Sequence, residues 1–200
     1  VKADATKFSE TGYVGGDVED LVRELVKKAE DNIELAEYGI IYLDEVDKIA
    51  APKNSTGRDV SGRGVQMNLL KMMEETEVSQ RTPFDMASQM QAMMEFQQKG
   101  KAEKKTINTK HILFIVSGAF NGLEEIVKRR IGKRGIGFGV DVASTTETAQ
   151  HLESVQSSDF VEYGFEPEFI GRLPVHSVCH KLSKQHLFDI LKYSAGLVIK

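Results

Sequence analysis

Asp44 and Glu45 stand side by side at the end of the apolar run Gly39-Ile40-Ile41-Tyr42-Leu43. A carboxylate at the carboxyl end of a strand can hold a hydrated magnesium ion, and an adjacent acid can polarise the water that attacks a γ-phosphate. Open α/β sheets bind their ligands at such strand ends. Ile, Ile, Tyr and Leu bounded by a glycine and an acid predict a strand buried on both faces, as in a parallel sheet. The same pattern also fits a buried strand that ends in acids only because the chain has reached solvent, so the elements around it must decide.

Those elements alternate. Val18, Leu21, Val22, Leu25, Val26, Ala29 and Ile33 recur at helical spacing behind Asp17, a good N-cap. They predict an amphipathic helix of about five turns ending near Tyr38-Gly39. The strand 40–44 follows, then a polar loop over 51–57, then a helix whose Val65, Leu69, Met72 and Met73 share a face. His111 to Ser117 reads as a second apolar strand, 124–130 as a short helix, 159–163 as a helix stopped by Gly164, 175–178 as a further strand, and 184–199 as a helix. Strands alternating with helices predict a three-layer α/β fold on a parallel sheet. Residues 77–109 break the rhythm: they are rich in Met and Gln, lack a clean strand signal and read as an insertion. Met86, Met90, Met93 and Met94 come near helical spacing, which fits a surface helix, a loop or an adaptable partner surface.

Composition narrows the function classes. With 40% hydrophobic and 28% charged residues in a 200-residue chain, there is enough apolar material for one domain and the start of another. A net charge of −4 argues against a nucleic-acid footprint spread over the surface. The single cysteine, Cys179, in a strand-like stretch, cannot form an internal disulfide or a Cys-rich zinc site, which points to a reducing compartment. No apolar run approaches the roughly 20 residues a membrane helix needs, and Val1-Lys2-Ala3-Asp4 has no signal-peptide character. An intracellular protein is expected.

Several short motifs fall in register with a known family: Gly12-Tyr13-Val14-Gly15, Ile41 to Ile49, Arg58-Asp59-Val60-Ser61-Gly62, Gly64-Val65-Gln66, Ser117-Gly118-Ala119-Phe120, Gly135 to Gly139, and Pro167-Glu168-Phe169-Ile170-Gly171-Arg172-Leu173-Pro174. In this order they resemble the ClpX family, the AAA+ ATP-binding unfoldase subunits of Clp proteases. The resemblance covers about residues 3 to 190, apart from 77–109 and 140–156. It implies a P-loop NTPase (AAA+) three-layer sandwich, with 1–180 as a partial large domain and 181–200 as the start of the helical small domain.

The resemblance also implies roles. The Walker B pair falls on Asp44 and Glu45, with Asp44 holding magnesium through water. Ser117 takes the sensor-1 position beside the nucleotide, and Arg172 resembles the arginine finger that reaches a neighbouring subunit's ATP in a homo-hexamer. A guanidinium suits that task because it is planar and always charged. An arginine capping its own helix is the plainer alternative. Tyr13 and Val14 resemble the first pore loop, which grips a translocating polypeptide, although a Tyr between glycines is equally a packing aromatic in a loop. Arg58, Asp59 and Val60 resemble the second pore loop, with Arg63 standing where the family usually has an acid. Ile136, Gly137 and Phe138 resemble the loop that docks a ClpP-type peptidase ring. Exposed Ile and Phe beside Lys133 and Arg134 make sense when a partner's pocket receives them. The related HslU lacks that loop.

No Gly-x-x-x-x-Gly-Lys-Ser/Thr occurs in the chain. Its phosphate cradle, the central strand before it, the family's zinc domain and most of the small domain are thus expected to lie elsewhere, in a longer protein, and the 200 residues alone should be inactive. The leading expectation is an unfoldase using ATP and Mg2+ on unfolded or tagged proteins in the bacterial cytoplasm or, as the second choice, the mitochondrial matrix. A AAA+ chaperone without a peptidase, an HslU-like ATPase, a nucleic-acid motor and a non-hydrolysing scaffold are the alternatives. The Tyr13 and Ile136–Phe138 loops favour a protein substrate over a nucleic acid, and Glu45 argues against the scaffold.

Overall fold

A computed structural model describes residues 1–8, 16–51, 60–80, 90, 105–134, 152–180 and 182–193, with backbone alone at 60, 61, 133 and 134. Three parallel strands form its main sheet: β1 (Lys2–Asp4), β2 (Ile40–Asp44) and β5 (Leu113–Val116), with β2 in the middle. Leu43 lies between Ala3 and Val116, and Tyr42 between Lys2 and Ile115. Strand β1 carries no periodic signal in its three residues, and only its pairing with β2 defines it.

The first helix is shorter than its apolar pattern predicts. Helix α1 (Glu19–Lys28) starts two residues after the expected cap Asp17, with Val18 in the cap position, although Asp17 Oδ1 does accept from the Glu19 N–H at 3.1 Å. It then closes in a Schellman arrangement: Asp31 N donates to Val26 O and Glu30 N to Lys27 O, with Glu30 at φ 55° and Asp31 at φ 61°. A glutamate, not a glycine, occupies the left-handed stop, so the residue types hide the break. The chain re-enters a helix at α2 (Ile33–Ala36), capped by Asn32 accepting from Leu35 N at 3.1 Å.

Burial of the sheet also departs from expectation. Ile41 and Leu43 are wholly buried under α1 and its neighbours, but on the opposite face Ile40, Leu113 and Ile115 are 50%, 53% and 43% exposed. The described helices cover one face only, so β2 is not buried on both. The stretch 175–178 forms no strand, and Val175 is 86% exposed. A strand lives on ladder bonds to a neighbour, and no described strand lies beside it. Cys179 is accordingly exposed rather than packed in a sheet. The segment read as an insertion without strands opens and closes with an antiparallel pair, β3 (Glu77–Ser79) and β4 (Thr106–Asn108), with Val78 opposite Ile107 and both buried.

The second layer is built on α3 (Val60–Met73), whose buried Val65, Leu69 and Met72 meet the 3-10 turn Val46–Ile49 and the short helix α6 (Pro167–Gly171). Between them in sequence lie α4 (Leu123–Arg134) and α5 (Ser157–Tyr163), and α7 (Lys184–Tyr193) comes last among the described helices. Helix α5 stops as expected at Gly164, whose φ of 128° only glycine tolerates well and whose missing side chain admits the Ala51 carbonyl. Phe120, Phe160, Tyr163, Phe165 and Phe169 form one aromatic cluster with ring centroids 5.5–6.5 Å apart, joining the β5 exit to α5 and α6. Arg130 on α4 binds Asp159 on α5 through two hydrogen bonds of 2.7 and 2.9 Å, where Asp159 is almost wholly buried.

Candidate active site

Asp44, Glu45 and Ser117 come together at the exits of two adjacent parallel strands. Side chains alternate along a strand, so Tyr42, Asp44 and Ser117 all lie toward the same open face of the sheet. Ser117 Oγ donates to Asp44 Oδ1 at 2.7 Å, and the Glu45 N–H donates to the same oxygen at 3.0 Å. Tyr42 Oη lies 2.7 Å from Ser117 Oγ. A carboxylate can only accept, so the Ser117 proton is committed to Asp44 and Tyr42 must be the donor of the second bond. The result is a directed chain, Tyr42 to Ser117 to Asp44. Lys2 Nζ lies 3.7 Å from Asp44 Oδ2 and over the Tyr42 ring.

These donors hold the Asp44 carboxyl below its ordinary value: first the Ser117 hydroxyl, then the Glu45 N–H, with Lys2 adding a smaller pull in the same direction. Partial burial opposes them and loses. Asp44 is therefore ionised at neutral pH and fixed in direction, as a carboxylate that holds a cation must be.

Glu45 sits at φ 57°, ψ 30°, left-handed for a residue with a side chain, at a cost of about 1–2 kcal/mol. The kink turns the chain sharply out of β2 and leaves the Glu45 side chain in solvent. What keeps it there is the β5 exit. Val46 N donates to Ser117 O at 2.9 Å, and Ala119 N donates to Oδ1 of buried Asp47 at 3.3 Å. Gly118 lies so close to Asp47 that any side chain there would collide with its carboxylate. Phe120, at φ 46°, is the second left-handed residue in this join. Asp47, whose other oxygen pairs with Lys48 Nζ at 3.3 Å, is thus a structural acid beneath Asp44 and Glu45.

Arg172 is not part of this group. It caps the end of α6, and its Nε and Nη2 donate to Glu74 Oε1 at 3.2 and 2.7 Å, at the far end of α3. Its side chain is 53% exposed. Tyr13, Val14, Arg58, Asp59, Ile136, Gly137 and Phe138 lie outside the described residues, and Val60 begins α3 with only its backbone described. Arg63 forks onto Glu166, Nε at 2.9 Å and Nη2 at 3.3 Å.

Gln66 carried no assigned role in the sequence. It is fully buried, donates to Ile49 O at 2.7 Å and accepts from Glu166 N at 2.9 Å, joining the turn after Glu45 to the start of α6. A glutamine on the apolar face of α3 was the one available signal.

The carboxylate at the β2 exit fits a hydrated magnesium ion. Among the described residues no three His, Cys, Asp or Glu side chains cluster as a metal cage. Magnesium beside phosphates needs only one or two carboxylates, the remainder of its shell being water and phosphate oxygens, so a single fixed, ionised Asp44 suits it.

A parallel sheet covered by helices on one face, with acids at a strand exit, is an α/β fold of the P-loop NTPase (AAA+) type, and the comparison of families agrees. The chain belongs to the AAA domain family (Cdc48 subfamily), whose pattern it matches over residues 1–176. More particularly, it is 41% identical over 206 residues to the ATP-dependent Clp protease ATP-binding subunit ClpX of Borrelia duttonii and to that of Borrelia recurrentis, and 39% identical over 202 residues to that of Treponema denticola. Each match takes in 99% of this chain but only 44–46% of the relative, so the chain spans less than half the length of the curated proteins it resembles. The resemblance to ClpX read from the motifs is borne out. Among the described residues no helix is long and apolar enough to cross a membrane.

Proposed function

We propose that this chain is the acid-bearing segment of a ClpX-type ATPase, an unfoldase and translocase that delivers unfolded or tagged proteins to a ClpP-type peptidase. The observation that supports it best is the Ser117–Asp44–Glu45 arrangement at adjoining strand exits, within a chain that matches the AAA domain over residues 1–176. Bound Mg-ATP supplies the electrophilic phosphorus and the leaving group. Asp44 would hold the magnesium shell, kept ionised and aimed by Ser117 and the Glu45 N–H. Glu45 would accept the proton of the attacking water, and its solvent-facing position outside the sheet suits that role. Arg172, at the end of α6 and away from its own subunit's acids, suits delivery to the neighbouring subunit of a homo-hexamer.

The remaining assignments are part of the same reading. Tyr13 and Val14, with Arg58, Asp59 and Val60, would line the channel and move the polypeptide. Ile136, Gly137 and Phe138 would dock the peptidase. Residues 1–180 would belong to the large domain and 181–200 to the small one, in a cytoplasmic protein that binds neither nucleic acid nor membrane.

The test uses the full-length protein. Glu45→Gln should keep ATP binding and lower turnover by about 10²–10⁴, taking peptidase-coupled degradation of a tagged substrate down with it. Near wild-type hydrolysis by that variant would refute the assignment.

A further inference from the structure

Gln66 touches both halves of the machinery. Its amide nitrogen donates to Ile49 O, the last residue of the 3-10 turn that follows Asp44 and Glu45, and its oxygen accepts from Glu166 N, at the head of the helix that ends at Arg172. The side chain has no exposure at all, and both ends of its amide are used. Such a buried polar bridge fixes relative position, because losing either bond strands a backbone group out of reach of water.

The two ends are not equally dependent on it. The turn at Ile49 is already anchored to the β5 exit by Val46 N on Ser117 O and by Ala119 N on Asp47. Helix α6 is one and a half turns long and too short to hold itself. Beyond its packed Ile170 and Phe169, the latter stacked on Phe165 of the aromatic cluster, its attachments are the exposed Arg63–Glu166 and Arg172–Glu74 pairs and the Gly164–Ala51 contact; apolar packing is non-directional and sets no register by itself. Exposed ion pairs of that kind hold little. The firm turn is therefore the base, and α6 is the part that Gln66 positions.

We propose that Gln66 is the positioning residue for Arg172: it holds the arginine-bearing helix in register with the subunit's own Asp44–Glu45 turn, so that one subunit's active site sets the placement of the arginine it lends to the next. This rests on the reading of Arg172 as a finger acting between subunits. Its loss should therefore be felt in a neighbour's turnover rather than in the nucleotide affinity of the subunit that carries the change.

Mixed full-length hexamers separate the two positions. Glu45→Gln subunits cannot hydrolyse but keep Arg172, so they serve as donors. Arg172→Ala subunits keep their acids and serve as hydrolysers. Gln66→Met in the donors should lower the rescued turnover about tenfold with KM for ATP unchanged, since a small misplacement of a transition-state contact acts on the chemical step. The same change in the hydrolysers should leave the rescue intact.

Should Gln66→Met fail to fold, Glu166→Pro removes the N–H that donates to Gln66, together with the side chain that pairs with Arg63. Glu166 already sits at φ −70°, ψ 136°, a conformation that proline and a residue preceding proline both adopt. Glu166→Ala, which keeps the N–H and loses only the exposed pair with Arg63, is its control. Donors with Glu166→Pro should lose the rescue and donors with Glu166→Ala should keep it, with KM for ATP unchanged in both, and the proline variant should unfold at a lower temperature than the alanine variant because the buried Gln66 oxygen loses its donor. Equal rescue by both, or equal losses from Gln66→Met in donors and hydrolysers, would overturn the proposal. If Arg172→Ala alone hydrolyses ATP at the wild-type rate, the finger reading itself falls and the proposal with it.

Discussion

Gly118→Ala should loosen the turn that follows Asp44 and Glu45 without touching either proposed catalytic acid. A Cβ at Gly118 would collide with Asp47 Oδ1 and lie 3.0 Å from Asp47 N and 3.1 Å from its Cγ. The neighbour cannot simply swing aside, because the Asp47 side chain is 2% exposed and its far oxygen is held by Lys48. Forcing a methyl group into such packing costs about 1–3 kcal/mol. If the carboxylate moves, the Ala119 N–H loses its acceptor for about 1 kcal/mol more. For a domain of this size each kcal/mol lowers Tm by about 2–4 °C, so a fall of roughly 4–16 °C is expected. The displaced join is also the one that ties Val46 to Ser117, so Asp44 and Glu45 shift against Ser117 and turnover should fall by about tenfold to a hundredfold. Thermal unfolding and Mg-dependent ATP hydrolysis on one full-length preparation measure both. Gly132→Ala is the control: a Cβ there, within α4, meets nothing within 4 Å and should be neutral or stabilising by about 0.5–1 kcal/mol. A Gly118→Ala protein with wild-type Tm and turnover would refute the reasoning.

Ser117→Ala should raise the Asp44 pKa toward its ordinary value, since the largest lowering influence is the Ser117 hydroxyl. The stabilisation that the lowered pKa provides is present above the usual carboxylate range and fades as pH falls through the depressed value, so the variant should lose part of this acid-side dependence; a carboxyl NMR titration of nucleotide-free protein reads the shift. Arg130→Ala should destabilise by about 3 kcal/mol, because it leaves the buried Asp159 carboxylate without its charged partner, and urea unfolding measures it. Tyr13→Ala should spare ATP turnover while crippling unfolding of a stable tagged substrate, and equal loss of both would mark Tyr13 as a packing residue. Replacing Ile136 and Phe138 by Ser should abolish peptidase stimulation with ATPase activity kept, since lost apolar anchors cost about 2 kcal/mol or more each and compound across a ring; degradation at the wild-type rate would exclude the loop as the docking element.

Much of the site was legible because its signals are local. The strand 40–44 ending in Asp44 and Glu45, the strand 113–116 ending at Ser117, the helix bearing Val65, Leu69 and Met72, and the stop at Gly164 all follow from hydrophobic period and glycine placement. Motif order carried the family, which the comparison with known proteins then matched. What the linear pattern could not state depends on contacts between distant residues. Strand β1 and the β3–β4 pair exist only because partners lie alongside them, and 175–178 is not a strand because none does. The break in the first helix rests on Glu30 and Asp31 accepting left-handed angles to close a Schellman turn, a conformation their residue types disfavour. Ser117 meets Asp44 across 73 residues, and Gln66 meets Glu166 across 100. Residue types determined which chemistry was available to this chain; the parallel pairing of β2 with β5, and the packing of α3 against α6, decided which of those groups meet, because hydrogen bonds and burial act through space and are indifferent to sequence separation.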